Sequence, residues 1–458
     1  MAAKTSKRRT VRLSVRLAAL LFASAAFASP ALADTLTEAL SAAYSNNATL
    51  NAARAATRVR DEDVPQALAG YRPQIEASGS WQFNDSNGLQ SRVARTGITL
   101  TQPIFRGFRT ENGVKAAEAG VKASRESLRN TEQNVLLDAV EAYMNVIRDR
   151  AIVDLRKSNV TFLREQVRAA NDRFSVGEGT RTDVAQADAA LAAASSALSL
   201  AEANVKAGEG IYVQVIGRAP NGLKPAAPVD KMLPASFARA ESLSRERHPA
   251  ILSARYSADV ASFNVRITEG ELLPSVSLQA TVQNTWANGD TNTATGPSAS
   301  IIGQVTIPIY EGGAVHSAVR QAKESLGQAK IQVDVLRDQV QAAVVSAWGS
   351  LEASRAQVVA ARAQVEATRL ALDGVIEEQR VGQRTTLDVL NARTDLVDSQ
   401  VALVQAERDT VVAGYTVLAT VGQLSAETLG LKVVAYKPEV HYEKVRDKWG
   451  GLRTPDGR

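Results

Sequence analysis

The sequence predicts a mainly α-helical chain that also carries four β-strands of membrane length and is built as a tandem duplication. Three observations point to this class: two long blocks without proline, four segments in which apolar and polar residues alternate, and one motif that occurs twice. Because four strands cannot close a barrel whereas about twelve leave an open lumen, we expect three copies to share one 12-stranded barrel. The helices of this homotrimer would continue the barrel as a hollow helical cylinder.

The long helices follow from proline placement, because proline breaks helix interiors. No proline lies between Pro103 and Pro220, and none lies between Pro308 and Pro438. A helix can therefore run over about 114–176 and again over about 314–381, each ~95–100 Å long at ~1.5 Å per residue. Apolar residues recur in alternating steps of three and four, which predicts coiled-coil packing along both helices. The sequence predicts one shorter helix over 35–67, before the strands of the first copy.

The duplication is visible in the motif Val-Gly-x-x-Thr-x-x-Asp-Val, which begins at Val176 and again at Val381, 205 residues later. The same shift carries Pro103-Ile104-Phe105 onto Pro308-Ile309-Tyr310. So long a period excludes a solenoid repeat and makes each copy a large unit. We expect repeat 1 over 34–219, a proline-rich linker over 220–234, repeat 2 over 235–424 and a C-terminal tail over 425–458.

Each repeat contains two segments with the period-2 alternation of a strand that has one apolar face. They fall within 71–106 in repeat 1 and within 274–310 in repeat 2, and each is about ten residues long, as a tilted membrane strand should be. Polar loops over 84–92 and 287–298 would connect them. Alternation alone also fits hairpins that pack against helices in a soluble α+β protein.

The first 33 residues hold six basic and no acidic residues, and an apolar run and small residues precede Asp34. This pattern is typical of a cleaved secretory signal, with an uncleaved anchor as the alternative. Without these six charges the formal net charge of +5 becomes −1, so the basic balance does not indicate nucleic acid as a partner. After Asp34 no apolar stretch of about 18 residues predicts a membrane-spanning helix.

Chemistry-bearing residues are scarce. The chain has no cysteine and only three histidines, His248, His316 and His441, none with a carboxylate at metal-binding spacing. Cysteine nucleophiles and zinc–thiolate sites are excluded, and no nucleophile, base and orienting group can be assembled. We therefore expect no catalytic residue, no metal site and no cofactor.

With these features the chain resembles the TolC-like family of outer-membrane efflux and type I secretion channel-tunnels. The resemblance covers Asp34 to about Leu424 and rests on the signal, the duplication, the Pro-Ile-Phe/Tyr-x-Gly junctions and the repeated turn motif. It implies a homotrimer with a barrel in the outer membrane lipid and a helical tunnel that crosses the periplasm. It also implies a periplasmic adaptor protein and an inner-membrane RND or ABC transporter as partners.

The resemblance further implies a gate at the periplasmic entrance. Asp388 matches the family's entrance carboxylate and Arg384 matches an arginine that helps hold the entrance closed. The family's second aspartate is replaced by Asn391, so we expect one ring of three carboxylates and one polar ring. Asp183 and Gln186 stand at the matching positions of the first copy, and we expect them to belong to the same gate and lumen ring. The turns implied to dock the adaptor contain Val176, Gly177, Thr180, Val381, Gly382 and Thr385.

A plainer interpretation of the same residues stays open. Thr180 with Asp183, and Thr385 with Asp388, fit helix N-terminal capping boxes, and Gly177 and Gly382 fit helix C-terminal caps. At the level of the whole protein, the sequence predicts a passive outer-membrane conduit that draws energy from a partner pump. The alternative is a periplasmic structural or adaptor coiled-coil protein without a barrel. The tail from Lys437 is compatible with disorder or with a strap along the outside of the cylinder.

Overall fold

A computed structural model describes residues 34–289 and 294–457, so the predicted signal over 1–33 lies outside the described residues. The chain is mostly helical and carries one four-stranded antiparallel sheet. The elements are α1 Leu36–Asn46, α2 Ala48–Asp61, α3 Asp63–Leu68, β1 Gln74–Ser86, β2 Leu89–Arg106, α4 Arg109–Ser175, α5 Arg181–Ile216, α6 Phe237–Arg247, α7 Pro249–Glu269, β3 Ser275–Gly289, β4 Gly296–Thr306, α8 Ala314–Arg380, α9 Thr386–Thr420 and α10 Pro438–Val445.

The two longest helices, α4 and α8, have 67 residues each and are therefore about 100 Å long. Each turns back at a short loop into a helix of about half that length, α5 after α4 and α9 after α8. We call these pairs hairpin 1 and hairpin 2.

The single helix expected over 35–67 is wrong, because the chain divides there into α1, α2 and α3. Asn47 ends α1 with an extended backbone, and its side chain then caps α2 by accepting a hydrogen bond from Leu50 N at 3.1 Å. Asn47 Nδ2 also donates to Val215 O at 2.9 Å, near the end of α5. An asparagine that satisfies both helix ends favours a break over a continuous helix.

The sheet has the order β1-β2-β3-β4, so that the pairing of β2 with β3 joins the two repeats. The strands contain 13, 18, 15 and 11 residues and are longer than the ten expected. The first loop is correspondingly shorter than predicted: only Asn87 and Gly88, both with positive φ, separate β1 from β2. Asn-Gly is the preferred pair for such a two-residue hairpin turn. The second loop is partly outside the described residues.

The register sorts the sheet into an apolar and a polar face. Ile75, Leu100, Ala280 and Ile301 lie side by side across the four strands. On the opposite face Thr99 and Thr281 pair, with their hydroxyl oxygens 3.3 Å apart. Further apolar-face residues in register are Ala77, Ile98, Val282 and Ala299, and the polar face continues through Glu76 and Ser300.

The apolar face is the exposed one. Ile98 and Val282 are 56% and 62% exposed, and Trp81 is 71% exposed, whereas Thr99 and Thr281 on the polar face are half-buried. A soluble protein covers the apolar face of its sheet with helices, and that alternative does not fit this sheet. The polar face is thus the more covered one on the two central strands, β2 and β3, whereas β1 is exposed along its whole length.

The main hydrophobic core lies midway along the long helices, where α1, α4, α5 and the end of α9 meet. Tyr143 of α4 and Tyr212 of α5 are fully buried in it, with ring centroids 6.5 Å apart. A second cluster joins α6, α7 and α8 to the end of α9. The end of α9 thus belongs to both clusters and ties the two repeats together.

Among the described residues one helix, α5, is long and apolar enough to cross a membrane by length and composition alone. The sequence prediction of none therefore needs correction. Runs of alanine over 185–197 raise the mean hydropathy of this helix. In the fold α5 packs along α4, with Ala194 beside Val160 and Leu163.

Candidate functional site at the hairpin tips

The two turns that the repeated motif predicts lie at the tips of the hairpins and have nearly the same backbone. Val176 and Val381 both have φ −95°, with ψ 4° and 8°. Gly177 and Gly382 both have φ +80°, a left-handed conformation that glycine adopts without a Cβ clash. Both valines are highly exposed, at 70% and 71%. Each hairpin therefore ends in an apolar side chain that no described residue covers.

The capping interpretation of the paired threonine and aspartate is confirmed in both copies. Thr385 N donates to Asp388 Oδ2 at 2.9 Å, and Asp388 N donates to Thr385 Oγ1 at 3.2 Å. The equivalent distances between Thr180 and Asp183 are 3.0 and 3.2 Å. Hydrogen bonds from the backbone and side chain of Thr385, then the charge of Arg384, lower the pKa of Asp388 below its usual value. Asp388 is thus an ionised carboxylate at neutral pH.

Arg384 is held inside its own hairpin, because its Nε donates to Glu378 Oε2 of α8 at 2.8 Å. This hydrogen bond and the charge of Glu378 raise the pKa of Arg384. Asn391 is exposed one helical turn beyond Asp388, and Gln186 is half-buried in the first copy. Spacing places Asn391 and Asp388 on one face of α9. The tip of hairpin 2 therefore combines one carboxylate, one amide and one arginine.

A contact that sequence reasoning missed connects the two hairpins above their tips. Arg393 of α9 donates from Nε to Asn159 Oδ1 of α4 at 3.1 Å and from Nη2 to Ser158 Oγ at 3.3 Å. Its guanidinium carbon also lies 4.8 Å from the ring centroid of Phe162. Burial lowers the pKa of Arg393, because the charge is held by neutral groups in a partly desolvated position.

Two further pairs continue this contact along the same helices: Arg156 with Asp398 at 3.4 Å, and Arg408 Nε with Asn145 Oδ1 at 2.9 Å. We call the three pairs the α4–α9 ladder. The two partners of each pair are more than 230 positions apart, and a single sequence gives no signal that they are in contact. Each arginine taken alone is typical of a solvated surface charge. The signal that was present is their spacing, since Arg393 and Arg408 are 15 residues apart, about four turns of helix.

The ladder also shows that the two tips are not level. Its pairs keep a nearly constant antiparallel register, which puts the start of α9 opposite about residue 168 of α4. The tip of hairpin 2 therefore ends roughly 12 Å short of the tip of hairpin 1, at ~1.5 Å per residue. Leu390 of hairpin 2 is buried accordingly, because it packs against Val160 and Leu163 of α4.

Within residues 34–289 and 294–457 no group of three or more histidine, aspartate or glutamate side chains could hold a metal ion. His248 instead caps α7, and burial lowers its pKa to about 4. His441 lies 2.8 Å from the buried Asp61. These positions assign structural roles to two of the three histidines that the sequence contains.

A sheet with an exposed apolar face, continued by helical hairpins of about 100 Å that end in polar and charged tips, defines a class of outer-membrane channel proteins with a long helical extension. The family model "Outer membrane efflux protein" matches this chain over residues 39–209 and 241–423. The chain belongs to this family, and the resemblance drawn from the repeated motif is confirmed.

Curated relatives and a solved structure agree with this assignment. The chain is similar to the outer membrane efflux protein BepC of Brucella suis biovar 1, with 50% identity over 445 residues and 97% of each chain covered. It is also similar to the outer membrane protein TolC of Escherichia coli, with 24% identity over 88% of this chain and 85% of TolC. Its fold matches the Campylobacter jejuni CmeC outer membrane channel with a TM-score of 0.77 at 18% identity, over 90% of this chain and 89% of CmeC.

Proposed function

We propose that three copies of this chain form the exit duct of a tripartite efflux pump or type I secretion system. The duct is a passive conduit that spans the outer membrane and the periplasm, and it performs no chemistry of its own. A periplasmic adaptor couples it to an inner-membrane RND or ABC transporter, which supplies the energy. The mature chain reaches the outer membrane after removal of the signal over 1–33.

The observation that carries this proposal is the four-stranded sheet with its exposed apolar face. Within the described residues, β1 and β4 each pair on one side only, and unpaired strand edges are unstable in a membrane. Four strands cannot close on themselves, but three sheets placed edge to edge give a barrel of twelve strands with an open lumen. The polar face then lines the lumen and the apolar face meets lipid.

The free side of α8 supports the same assembly. Exposed apolar side chains follow one stripe of this helix, within about a third of its circumference. They are Ile331, Val335, Val345, Val359 and Leu370, between 40% and 75% exposed. A second copy of the chain is the partner that would cover this stripe and extend the helical wall around the lumen.

At the entrance we propose that three Asp388 carboxylates and three Asn391 amides form successive rings, with Arg384 beside them. A ring of like negative charges at a narrow pore attracts cations. The exposed tips around Val176, Gly177, Thr180, Val381, Gly382 and Thr385 are the docking surface for the adaptor. Their apolar ends fit a partner that buries them against its own helices.

The experiment that tests the duct combines light scattering of the purified protein in detergent with conductance in planar lipid bilayers. We expect the mass of three chains and discrete, cation-preferring channels. A lone subunit without conductance would instead support the periplasmic coiled-coil alternative. Cross-linking in cells followed by affinity capture should recover an adaptor and an inner-membrane transporter.

The gate is tested separately by Asp388→Asn. This change keeps the side-chain volume but removes the charge, so we expect weaker cation selectivity and weaker block by multivalent cations. Asp183→Asn is the matched comparison, because it alters the same capping box at the other tip, and an equal loss of selectivity there would show that both carboxylates act at the gate. Unchanged selectivity in Asp388→Asn would remove Asp388 from the gate and leave it a capping residue.

A further inference from the structure

The C-terminal segment 437–457, which we call the strap, lies against α2 and α4 near the end of the helices that faces the sheet. Its helix α10 is fastened to α2 by His441, whose Nδ1 lies 2.8 Å from Asp61 Oδ2. Glu439 lies 3.6 Å from Arg125 of α4, and the guanidinium of Arg125 lies 5.1 Å from the ring centroid of Tyr442. Of the two arrangements that the sequence left open, the strap is the one observed.

Beyond α10 the strap reaches the point where helix gives way to strand. Arg72, two residues before β1, donates from Nη1 to Lys448 O at 2.9 Å, and its guanidinium carbon lies 4.7 Å from the ring centroid of Trp449. Lys448 Nζ in turn donates to Arg453 O at 2.6 Å. These bonds close a short loop over 448–453 and hold it at the base of the sheet.

The loop presents its apolar side chains outward. Trp449 is 74% exposed and Leu452 is fully exposed, although folding normally covers such side chains. Gly451, with φ +96°, allows the chain to turn between them. Lys448 and Arg453 flank the pair, so the loop places two apolar groups between two basic residues.

Other exposed aromatic residues lie at the same junctions between helix and strand. Tyr71 precedes β1, Phe108 follows β2 and Tyr310 follows β4, and they are 52%, 55% and 86% exposed. Phe108 also packs edge to face on Phe105, with centroids 5.1 Å apart. Aromatic rings at the ends of membrane strands mark the boundary between hydrocarbon and water. Through Arg72, Trp449 is brought next to this band, although it lies more than 300 residues away in sequence.

We propose that the loop over 448–453 is a membrane-surface anchor. Trp449 and Leu452 enter the boundary between headgroups and acyl chains on the periplasmic side of the outer membrane. Lys448 and Arg453 face the phosphates of the phospholipid there. This inference rests on the proposed function, because it requires the sheet to cross that membrane. The strap then ties the helical wall to the lipid surface as well as to the barrel.

The test uses the intrinsic fluorescence of the four tryptophans in proteoliposomes. A variant with Trp449 as its only tryptophan, made by Trp81→Phe, Trp286→Phe and Trp348→Phe, is reconstituted with phosphatidylcholine that is brominated high on its acyl chains. We expect the bromines to quench Trp449 strongly and aqueous iodide to quench it weakly. A second variant that retains only Trp348, in the wall below the strands, should show the opposite pattern.

A third variant that retains only Trp81, on the apolar face of β1, tests the barrel separately from the anchor. If bromolipid quenches Trp81 while only iodide quenches Trp449, the anchor is overturned and the barrel stands. If neither agent quenches Trp449, its ring is covered by protein and the anchor is equally overturned. If bromolipid quenches neither, the proposed barrel fails as well. Should the triple substitution prevent folding, Trp449→Phe in the otherwise unchanged protein must remove part of the lipid-quenchable emission.

Discussion

Hairpin 1 and hairpin 2 share a turn, a capping box and helix lengths, yet they are embedded very differently. Of their 67 residues each, α4 buries 21 and α8 buries 8. α4 is packed by elements of both repeats, including α2, α7 and α9. The cluster at the middle of α8 is built mainly from α6, α7 and α9 of repeat 2, and near the tip Phe162 of α4 also packs against α8. The duplication therefore produced one hairpin that is packed on several sides and a second that packs against it. The α4–α9 ladder is the polar part of this contact.

The two hairpins should differ most in their response to a substitution at Tyr143. The 205-residue shift matches this residue with Trp348 of hairpin 2. Tyr143 is fully buried and its hydroxyl lies 2.6 Å from Lys224 O and 2.8 Å from Asp34 O. Burial raises its pKa to about 12, so the hydroxyl stays a donor. We expect Tyr143→Ala to lower the free energy of unfolding by about 3–5 kcal/mol, as measured by urea unfolding followed by circular dichroism. Trp348→Ala is the matched control; an equal loss there would contradict the asymmetry.

The next largest effect should come from Arg393→Ala, which removes two charge-assisted hydrogen bonds between the hairpins. A hydrogen bond to a charged group contributes about 1.5–3 kcal/mol. The substitution also leaves the side chains of Asn159 and Ser158 without this partner. Hairpin 2 should then separate more often from α4 and raise the mean conductance in planar bilayers. Arg393→Lys, which keeps the charge but loses the fork, should be intermediate.

Arg384→Ala provides the contrast to Arg393→Ala. Arg384 is exposed and bonds within its own hairpin, so its removal should raise conductance less. Should Arg384→Ala open the channel more than Arg393→Ala, the tip rather than the ladder would hold hairpin 2 in place. Wild-type conductance in Arg384→Ala would make this arginine a surface charge only.

Whether a feature can be predicted from the sequence depends on whether it is formed by residues close together or far apart in the chain. The capping boxes were readable because Thr385 and Asp388 are three residues apart, and the alternation of β1 was readable because it needs no partner. The Asn87-Gly88 turn was equally local, but it was overlooked in favour of a longer loop. The ladder and the contact between Arg72 and Trp449 join residues hundreds of positions apart, and only the register of packed helices brings them together.

The capping boxes give a comparison in which the two hairpins should agree. Thr385→Ala and Thr180→Ala each remove the side chain that accepts from the third helical amide, a loss of about 1 kcal/mol. Because the backbone angles and distances match at both tips, we expect similar increases in amide exchange over the first turns of α9 and α5. A loss confined to one tip would show that its surroundings, and not its cap, keep the turn formed.

The smallest expected effect is the pH dependence of the two caps. Hydrogen bonds from Thr385 and Thr180 lower the pKa values of Asp388 and Asp183, so ionisation stabilises the folded tips. This stabilisation is complete above the pKa of an unfolded aspartate and is lost only as the pH falls through the lowered folded value. We therefore expect cation selectivity in bilayers to persist below the usual aspartate range and to become pH-independent in Asp388→Asn. Repulsion within a ring of three carboxylates acts in the opposite direction. A midpoint above the usual aspartate pKa would mean that convergence of the charges outweighs the cap.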